Sequence, residues 1–512
     1  MNPLALAQAT TPEIALTTLA LFVLLIDVGL LRAKRPDSRA AWIGGLAVLG
    51  LIGVLVVLGQ HLSVTGDLYF MDRDRVLVVD RLAIVLRIVI VALALGAALL
   101  SIRYPFTKHY GEYFALLLFA TVGLNLLVAT ENLLMFFVAL ELLSICLYAL
   151  TGMHRGVLRS AEGAVKYFMV GALSSAFLLF GLSWIVGSTG ATNLPALKDA
   201  LAGGGNAMRL TGLVFVVVGL GFKLAAVPFH TWTPDAYQGA PTPVTAFIAT
   251  ASKVASFVVA AKILLVGFAG MAGSAHWPWR ELSSGVVAAA RIEPGWVMLL
   301  AVVSAASMMW GNLAALTQKN VKRMLAYSSI AHTGYMLLGV MAANQAGLVA
   351  VLTYLVAYAV TTLGAFGVVA ALTRQLGGDD LEDLDGLARR APGMALLLLV
   401  FVLSLAGIPP LAGFIAKFNL FAVAVRSDAQ DLGLLWLVFV GLAASAVSLY
   451  YYLLILKHAL VHAPRHTGPV RVGWLWTAPL VVLAVLVVVI GAWPQPLLAL
   501  FGGLVEGAGL IR

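Results

Sequence analysis

The chain has 512 residues, of which 62% are hydrophobic and 11% charged, with a formal net charge of +9 and one cysteine. So much apolar surface exceeds what a soluble core of that length hides, and unbroken apolar runs of about 20 residues exclude the short alternating strands of a barrel. An all-α polytopic membrane protein is expected; lone Cys146 argues against disulfides and thiolate metal centres, no Walker A or GxGxxG pattern offers a nucleotide site, and cations spread over many loops argue against nucleic acid.

Hydrophobic periodicity predicts fourteen spans, at 13–31, 40–60, 82–102, 112–130, 132–151, 160–187, 209–230, 242–267, 295–316, 321–341, 346–374, 391–425, 432–457 and 473–500. The first lacks a basic leader segment and is expected to be kept as a helix, with Asp27 near its end pairing locally or with a neighbouring subunit. Arg87, beyond Asp80 and Arg81 at the start of the third span, reads as an interfacial anchor. Glu141 lies near the middle of the fifth span, Lys166 in the sixth, Lys223 in the seventh, Lys253 and Lys262 in the eighth, and Lys417 in the twelfth. Ser174, Ser175, Ser328, Ser329 and Thr333 either hold pathway water or serve helix packing. The Gly203-Gly204-Gly205 run reads as a flexible link between spans.

Two spans do not read as plain helices. The seventh continues as GLGFKLAAVPFHTWTPDAYQGAPTP, with Pro228 five residues after Lys223, and the twelfth as SLAGIPPLAGFIAKFNLF, with Pro409 and Pro410 before Lys417. Proline removes an amide donor and clashes with the preceding turn, so each span is expected to break. The twelfth, 35 residues long, would run to roughly 52 Å if straight, too long for a ~30 Å membrane core. The breaks lie five spans apart, and an odd repeat inverts the second unit in the membrane. The expected organisation is helices one to three in 1–111, a first half-channel unit in 112–267, an inverted second unit in 295–457, and a loop with the last helix in 458–512.

A Lys or Asp at the centre of a membrane helix costs roughly 2.5–3.5 kcal/mol, so a row of them marks a path for ions or protons. Each has a structural alternative. Glu141 and Lys166 form a buried ion pair, Lys223 and Lys417 cap broken helix ends, and Lys253 snorkels. Lys262, near the far boundary on the opposite face from Lys253, is expected to snorkel. His332 reads as a proton relay or a packing histidine, and His230, beside the seventh-span break and Trp232, as the lining of an entrance or a backbone anchor. His458 and His462 have metal-compatible spacing followed by His466, but their place at a basic helix end argues against a metal site. The acidic loop Gly377 to Arg390 reads as a solvated face or a contact for a partner. Seventeen loop cations, Arg155, Arg159, Arg389 and Arg390 among them, fall in odd-numbered loops against nine in even loops and the C-terminus, so both termini are expected on the non-cytoplasmic side.

The segments TENLLMFFVALELLSICLYAL, GFKLAAVPFHTWTPDAYQGAPTPVTAFIATASKVASF, NVKRMLAYSSIAHTGYMLLG and DLDGLARRAPGMALLLLVFVLSLAGIPPLAGFIAKF resemble the antiporter-like subunits of respiratory complex I, the proton-pumping NADH:quinone oxidoreductase. The likeness is strongest from 112 to 425 and closest to the N paralogue. Lys417 stands where the M type is expected to carry glutamate, and the L type's long lateral helix is not expected here.

The resemblance implies a proton-translocating subunit of the bacterial inner membrane, partnered by other membrane-arm and peripheral-arm subunits. NADH, flavin, iron–sulfur clusters and quinone are implied in those subunits, with no cofactor and no metal on this chain. It implies Glu141 and Lys166 as an interacting pair, Lys223 as the proton-accepting centre of the first half-channel, Lys253 as the connecting lysine and Lys417 for the second half-channel. His332 and His230 are candidate relays. Two rivals stay open: a subunit of a cation/proton antiporter, and a structural membrane-arm subunit that moves no protons.

Overall fold

A computed structural model describes residues 3–31, 35–63, 68–104, 106–203, 206–273, 295–427, 433–465 and 468–510. Arg32, Lys34, Arg280, Arg291, Arg512, His466, Gly204 and Gly205 lie outside them, as does the side chain of Arg374. Each of the fourteen predicted spans is helical. The first eight are Thr11–Leu31, Ser38–Ser63, Arg81–Ser101, Tyr110–Val128, Leu133–Thr151, Leu158–Thr189, Ala207–Leu224 and Thr242–Gly267. The rest are Trp296–Ala315, Val321–Met341, Gln345–Leu376, the pair Pro392–Ala406 and Ala412–Arg426, Leu435–Leu460, and Trp474–Ala492. Asparagine and aspartate side chains open many of them: Asp80 accepts from Ala83 N at 2.6 Å, Asn132 from Leu134 N at 3.0 Å, and Asn320 from Arg323 N at 3.1 Å. The fourteenth span ends earlier than predicted. Trp493-Pro494 stops it, and a separate helix Gln495–Ala508 follows with Pro496 in its first turn.

Both predicted breaks are present. The seventh span stops at Leu224, with Ala225 left-handed at φ 58, and a short helix Thr233–Gly239 follows. The twelfth stops at Ala406, with Gly407 left-handed at φ 85, and resumes at Ala412. The two five-helix units also share a mark that periodicity does not reveal. Asn132, which caps the fifth span, forms an isolated antiparallel bridge with Asn193, and Asn320, which caps the tenth, forms one with Asp380. The caps sit five spans apart, so they mark opposite membrane faces, as an inverted repeat requires.

The eighth, tenth and eleventh spans form the core. Every residue from Thr242 to Leu265 on the eighth is buried, whereas exposed side chains on the first, second, sixth and fourteenth spans are mostly apolar, as lipid-facing or partner-facing surfaces are. The eighth span is not uniformly α-helical. Ile248–Ser252, just before Lys253, and Ile263–Gly267, just after Lys262, are π-helical, the wider turn that often marks functional positions. Asp27 pairs locally: it accepts two hydrogen bonds from Arg39, at 2.9 and 2.6 Å, and one from Gly111 N at 3.1 Å.

Candidate functional site

The helix breaks place buried ammonium groups beside polar acceptors, the condition for keeping a charge inside the membrane. Lys223, in the last turn before the seventh-span break, donates to Ser144 Oγ at 2.6 Å, and Ser144 in turn donates to Leu140 O at 2.5 Å. Its ammonium also lies 5.3 Å from the Phe222 ring and 5.9 Å from that of Tyr148. Lys417 is held differently. It donates to Leu405 O and Ala406 O, at 3.2 and 3.1 Å, and to Ser445 Oγ at 3.1 Å, so it satisfies carbonyls freed where the first half of the twelfth span ends. Gly407 leaves the room for this, since a Cβ there would stand 3.3 Å from the Lys417 Nζ.

Between the breaks runs the tenth span, which turns polar residues to two sides. Ser329 and Thr333, one turn apart, face Lys253, which donates to Ser329 O and Oγ, both at 2.6 Å, and to Thr333 Oγ1 at 2.9 Å. Thr333 passes its own hydrogen to Leu224 O at 2.6 Å, the end of the broken seventh helix. Toward the second unit, His332 Nδ1 lies 2.5 Å from the Tyr354 hydroxyl and Nε2 3.2 Å from that of Tyr452, which also bonds Ser328. The charges of both Lys253 and Lys417 act on His332. Tyr335 completes the link, with its ring 5.2 Å from the Lys417 ammonium and 5.8 Å from the His332 ring. Lys223, Lys253, His332 and Lys417 are thus each buried with polar partners in the region between the two breaks, and Ser174 is buried as well.

The expected Glu141–Lys166 pair is not formed. Lys166 sits about two turns from the end of its span, where it bonds Glu162 at 2.6 Å and Asp235 at 2.7 Å. Glu141 instead accepts from Ser175 at 2.5 Å, nine residues further along the same span, about 13 Å by helical rise. The nearest consequence of Glu141 is for Lys223, on which its charge acts. Glu141 is half-buried on the same stripe as exposed Leu134, Val138 and Ile145. His230 is buried at the break with its ring against Trp310, while Trp232 is the anchor there: its indole donates to Phe222 O at 3.2 Å and stacks on Tyr167.

Three further expectations change. Arg87 is fully buried, not interfacial, with its guanidinium 3.2 Å from the Glu13 carboxylate. Lys262 does not snorkel: it is buried at 3% exposure and donates to Val128 O at 2.9 Å, because the eighth span has protein on every side. The acidic loop is not a solvated face. Leu381, Leu384 and Leu387 are buried, Lys322 meets Asp379 at 3.2 Å, and Asp385 is gripped by His458 at 2.6 Å, His462 at 3.1 Å and Arg465 at 3.0 Å. Burial alone would raise the Asp385 carboxyl, but hydrogen bonds from His458 and Arg465 hold it below the ordinary carboxylate value. The 2.6 Å contact of His458 Nδ1 with Asp385 Oδ1 is a hydrogen-bond separation, so these side chains form a latch between the loop and the thirteenth span.

Sequence reasoning missed Asp235, which joins Lys166 to Arg323, and the tyrosines 354, 358 and 452 around His332 and Ser329. Asp235 lies in the second half of a broken span, where no helical period is left to read. Membrane tyrosines signal an interface by default, which hid the other three.

Fold and site together define an antiporter-like membrane subunit: two inverted units, each with a broken helix beside a buried lysine. The chain matches the transmembrane family described as NADH:quinone oxidoreductase/Mrp antiporter over residues 130–291 and again over 282–448. It is 44% identical over 511 residues to NADH-quinone oxidoreductase subunit N 2 of Acidobacterium capsulatum, across 97% of this chain and 99% of that protein. Among solved structures it resembles a chain of respiratory complex I from Thermus thermophilus with bound aureothin, at TM-score 0.76 and 34% identity over 95% of this chain and 98% of the other. Its likeness to a chain of the Mrp complex from Dietzia sp. DQ12-45-1b, at TM-score 0.76 but 22% identity over 98% and 99%, is one of fold alone. The chain belongs to the NADH:quinone oxidoreductase/Mrp antiporter transmembrane family, and within it is similar to the N subunits.

Proposed function

We propose that this chain is a proton-translocating membrane-arm subunit of an NADH:quinone oxidoreductase and that it carries no redox chemistry of its own. The observation that carries the reading is the row of buried, hydrogen-bonded groups between the two breaks: Lys223 on Ser144, Thr333 on Leu224 O, Lys253 on Ser329 and Thr333, His332 beside the Tyr354 and Tyr452 hydroxyls, and Lys417 on the carbonyls of Leu405 and Ala406. NADH, flavin, iron–sulfur clusters and quinone then belong to other subunits. In this reading Lys223 takes up protons in the first unit, Lys253 and His332 pass them across the centre, and Lys417 serves the second unit. Lys166, Asp235 and Arg323 guard the entrance on the odd-loop side, with His230 beside it.

Glu141 acts as the switch. A carboxylate close to an ammonium favours retention of its proton, and withdrawal of that charge favours release. Its half-buried place on an otherwise apolar stripe also supports a neighbouring protein subunit there, since a carboxylate at mid-membrane is poorly accommodated by lipid. Glu141→Gln keeps the volume and removes the charge, so it should lower coupled proton movement while the complex still assembles. Full pumping in that variant would make Glu141 a structural residue.

The loop charges favour a bacterial inner membrane with odd loops facing the cytoplasm and both termini on the other side. Cysteine labels placed at Arg155 should therefore report the cytoplasm and labels at Lys198 the opposite side. Labelling of both from one side would contradict the arrangement.

Lys223→Ala and Lys417→Ala should each reduce NADH-driven proton flux in the reconstituted complex with membrane insertion retained. Lys223→Arg should not restore it, because arginine stays charged and cannot give up the proton. Full flux in Lys223→Arg would show that position 223 needs only a fixed positive charge.

A further inference from the structure

The buried acidic loop and its latch have no part in the proposed path, yet they repeat a pattern that the first unit also carries. Beside Asn132, Leu133 N donates to Thr192 O at 2.8 Å and Leu194 N to Glu131 O at 2.9 Å; beside Asn320, Val321 N donates to Asp379 O at 2.9 Å and Leu381 N to Lys319 O at 2.8 Å. The same two-bond clasp thus ties the cap of the second helix of each unit to a leucine-rich segment. In the first unit the helix Leu194–Leu201 buries Leu194, Leu197 and Leu201, the first two beside Gly267 at the end of the eighth span. In the second, Leu381, Leu384 and Leu387 are buried and their turns pack on the thirteenth span. The eighth and thirteenth spans are the last helices of their units, so the two leucine clusters are counterparts, and inversion sets them on opposite faces.

The second cluster is also held by charge. Besides the grip of His458, His462 and Arg465 on Asp385, Glu382 meets Arg465 at 2.8 Å, Lys322 meets Asp379, and Gly386 N donates to His458 O at 3.1 Å. Gly386 is left-handed at φ 69, and a Cβ there would stand 2.5 Å from Pro464 N, so the loop lies flush on the chain that leaves the thirteenth span. The inner face of that span carries Ser445, the hydroxyl partner of Lys417, then Ser448 and Tyr452, and Tyr452 also meets Ser328 and His332. This polar stripe rises from Lys417 toward the odd-loop face and stops at Tyr452. The next buried side chains are Ile455 and Leu456, and His458 lies six residues beyond Tyr452, about 9 Å by helical rise. An apolar stretch of that kind blocks protons while it is dry and passes them once water enters.

We infer that the segment Asp379–Arg390 is a plug that closes the second unit toward the odd-loop face, and that the hold of His458, His462 and Arg465 on Asp385 keeps it seated, so that protons reaching Lys417 do not return past Ser445 and Tyr452. The inference rests on the proton-carrying reading of Lys417. Asp385, His458, His462 and Arg465 are positioning residues and carry no proton along the path. Loss of Asp385 leaves His458, mostly buried, without its Nδ1 partner, and an unpaired polar group beside buried leucines draws water into the dry stretch.

The test is the rate of proton entry into proteoliposomes that hold the intact complex, driven by an imposed pH gradient without NADH, together with the protons moved per NADH oxidised. Asp385→Ala and the double variant His458→Ala with His462→Ala should each raise passive entry several-fold and lower the proton-to-NADH ratio while NADH oxidation continues. Adding Tyr452→Phe to Asp385→Ala should return passive entry toward the parent level, because it removes the last hydroxyl of the stripe, whereas a general loosening of the fold would not respond to that change. Arg465→Ala, at a half-exposed side chain, should give a smaller rise and decides the matter if the other variants fail to assemble. Unchanged passive entry in these variants, or a leak that Tyr452→Phe leaves intact, beside lowered pumping in Lys417→Ala, would overturn the plug and leave the pumping reading standing. Normal pumping in Lys417→Ala would overturn both.

Discussion

The structure depends on the cost of keeping an ammonium group away from water. A buried cation without acceptors is driven to lose its charge, so a helix that carries one needs oxygen atoms within reach that its own ladder has not consumed. The carbonyls of an intact helix are already engaged in its own ladder and offer only a second lone pair, as Ser329 O does to Lys253, whereas a broken helix frees whole carbonyls. Lys417 takes the carbonyls released at the twelfth-span break, and Thr333 takes the one released at Leu224. The breaks, the left-handed residues that end the half-helices, and the polar stripe of the tenth span all answer that one requirement.

The two units solve it unequally. In the second, the lysine lies beyond the break and binds backbone; in the first, it lies before the break and binds a serine hydroxyl that belongs to the fifth span. Ser144 is one turn from Glu141, so the same helix supplies both the acceptor of Lys223 and the carboxylate whose charge acts on it. A change on the fifth span therefore reaches Lys223 through a hydrogen bond and through the field at once, while Lys417 is tied to two carbonyls of its own span and to the Ser445 hydroxyl of the thirteenth. This asymmetry makes the first unit the more responsive to a neighbouring subunit at the Glu141 face.

The fold is largely legible in the sequence because the signals behind it are local. Apolar run length marks the spans, and Pro228 and Pro409-Pro410 mark the breaks. Depth along a helix is legible too, which is why Lys223, Lys253 and Lys417 stand out. Azimuth relative to the other helices is not. Distance to the span end points Lys262 to snorkelling, but whether lipid or protein lies beside it depends on which spans surround the eighth. The same gap misplaces Arg87 and pairs Glu141 with Lys166, two residues whose spans touch at different heights. Partners that arrive from a distant segment, such as Asp235 for Arg323 or Asp385 for His458, leave no spacing to read at all.

The central claim is that the polar face of the tenth span joins the two broken helices into one proton path. Its most direct test is the number of protons moved per NADH oxidised in the reconstituted complex carrying Ser329→Ala together with Thr333→Val. These changes keep the packing volume nearly constant and remove side-chain acceptors of Lys253 and the bond to Leu224. The account predicts an assembled complex that moves fewer protons for each NADH it oxidises. An unchanged ratio of protons to NADH would contradict it.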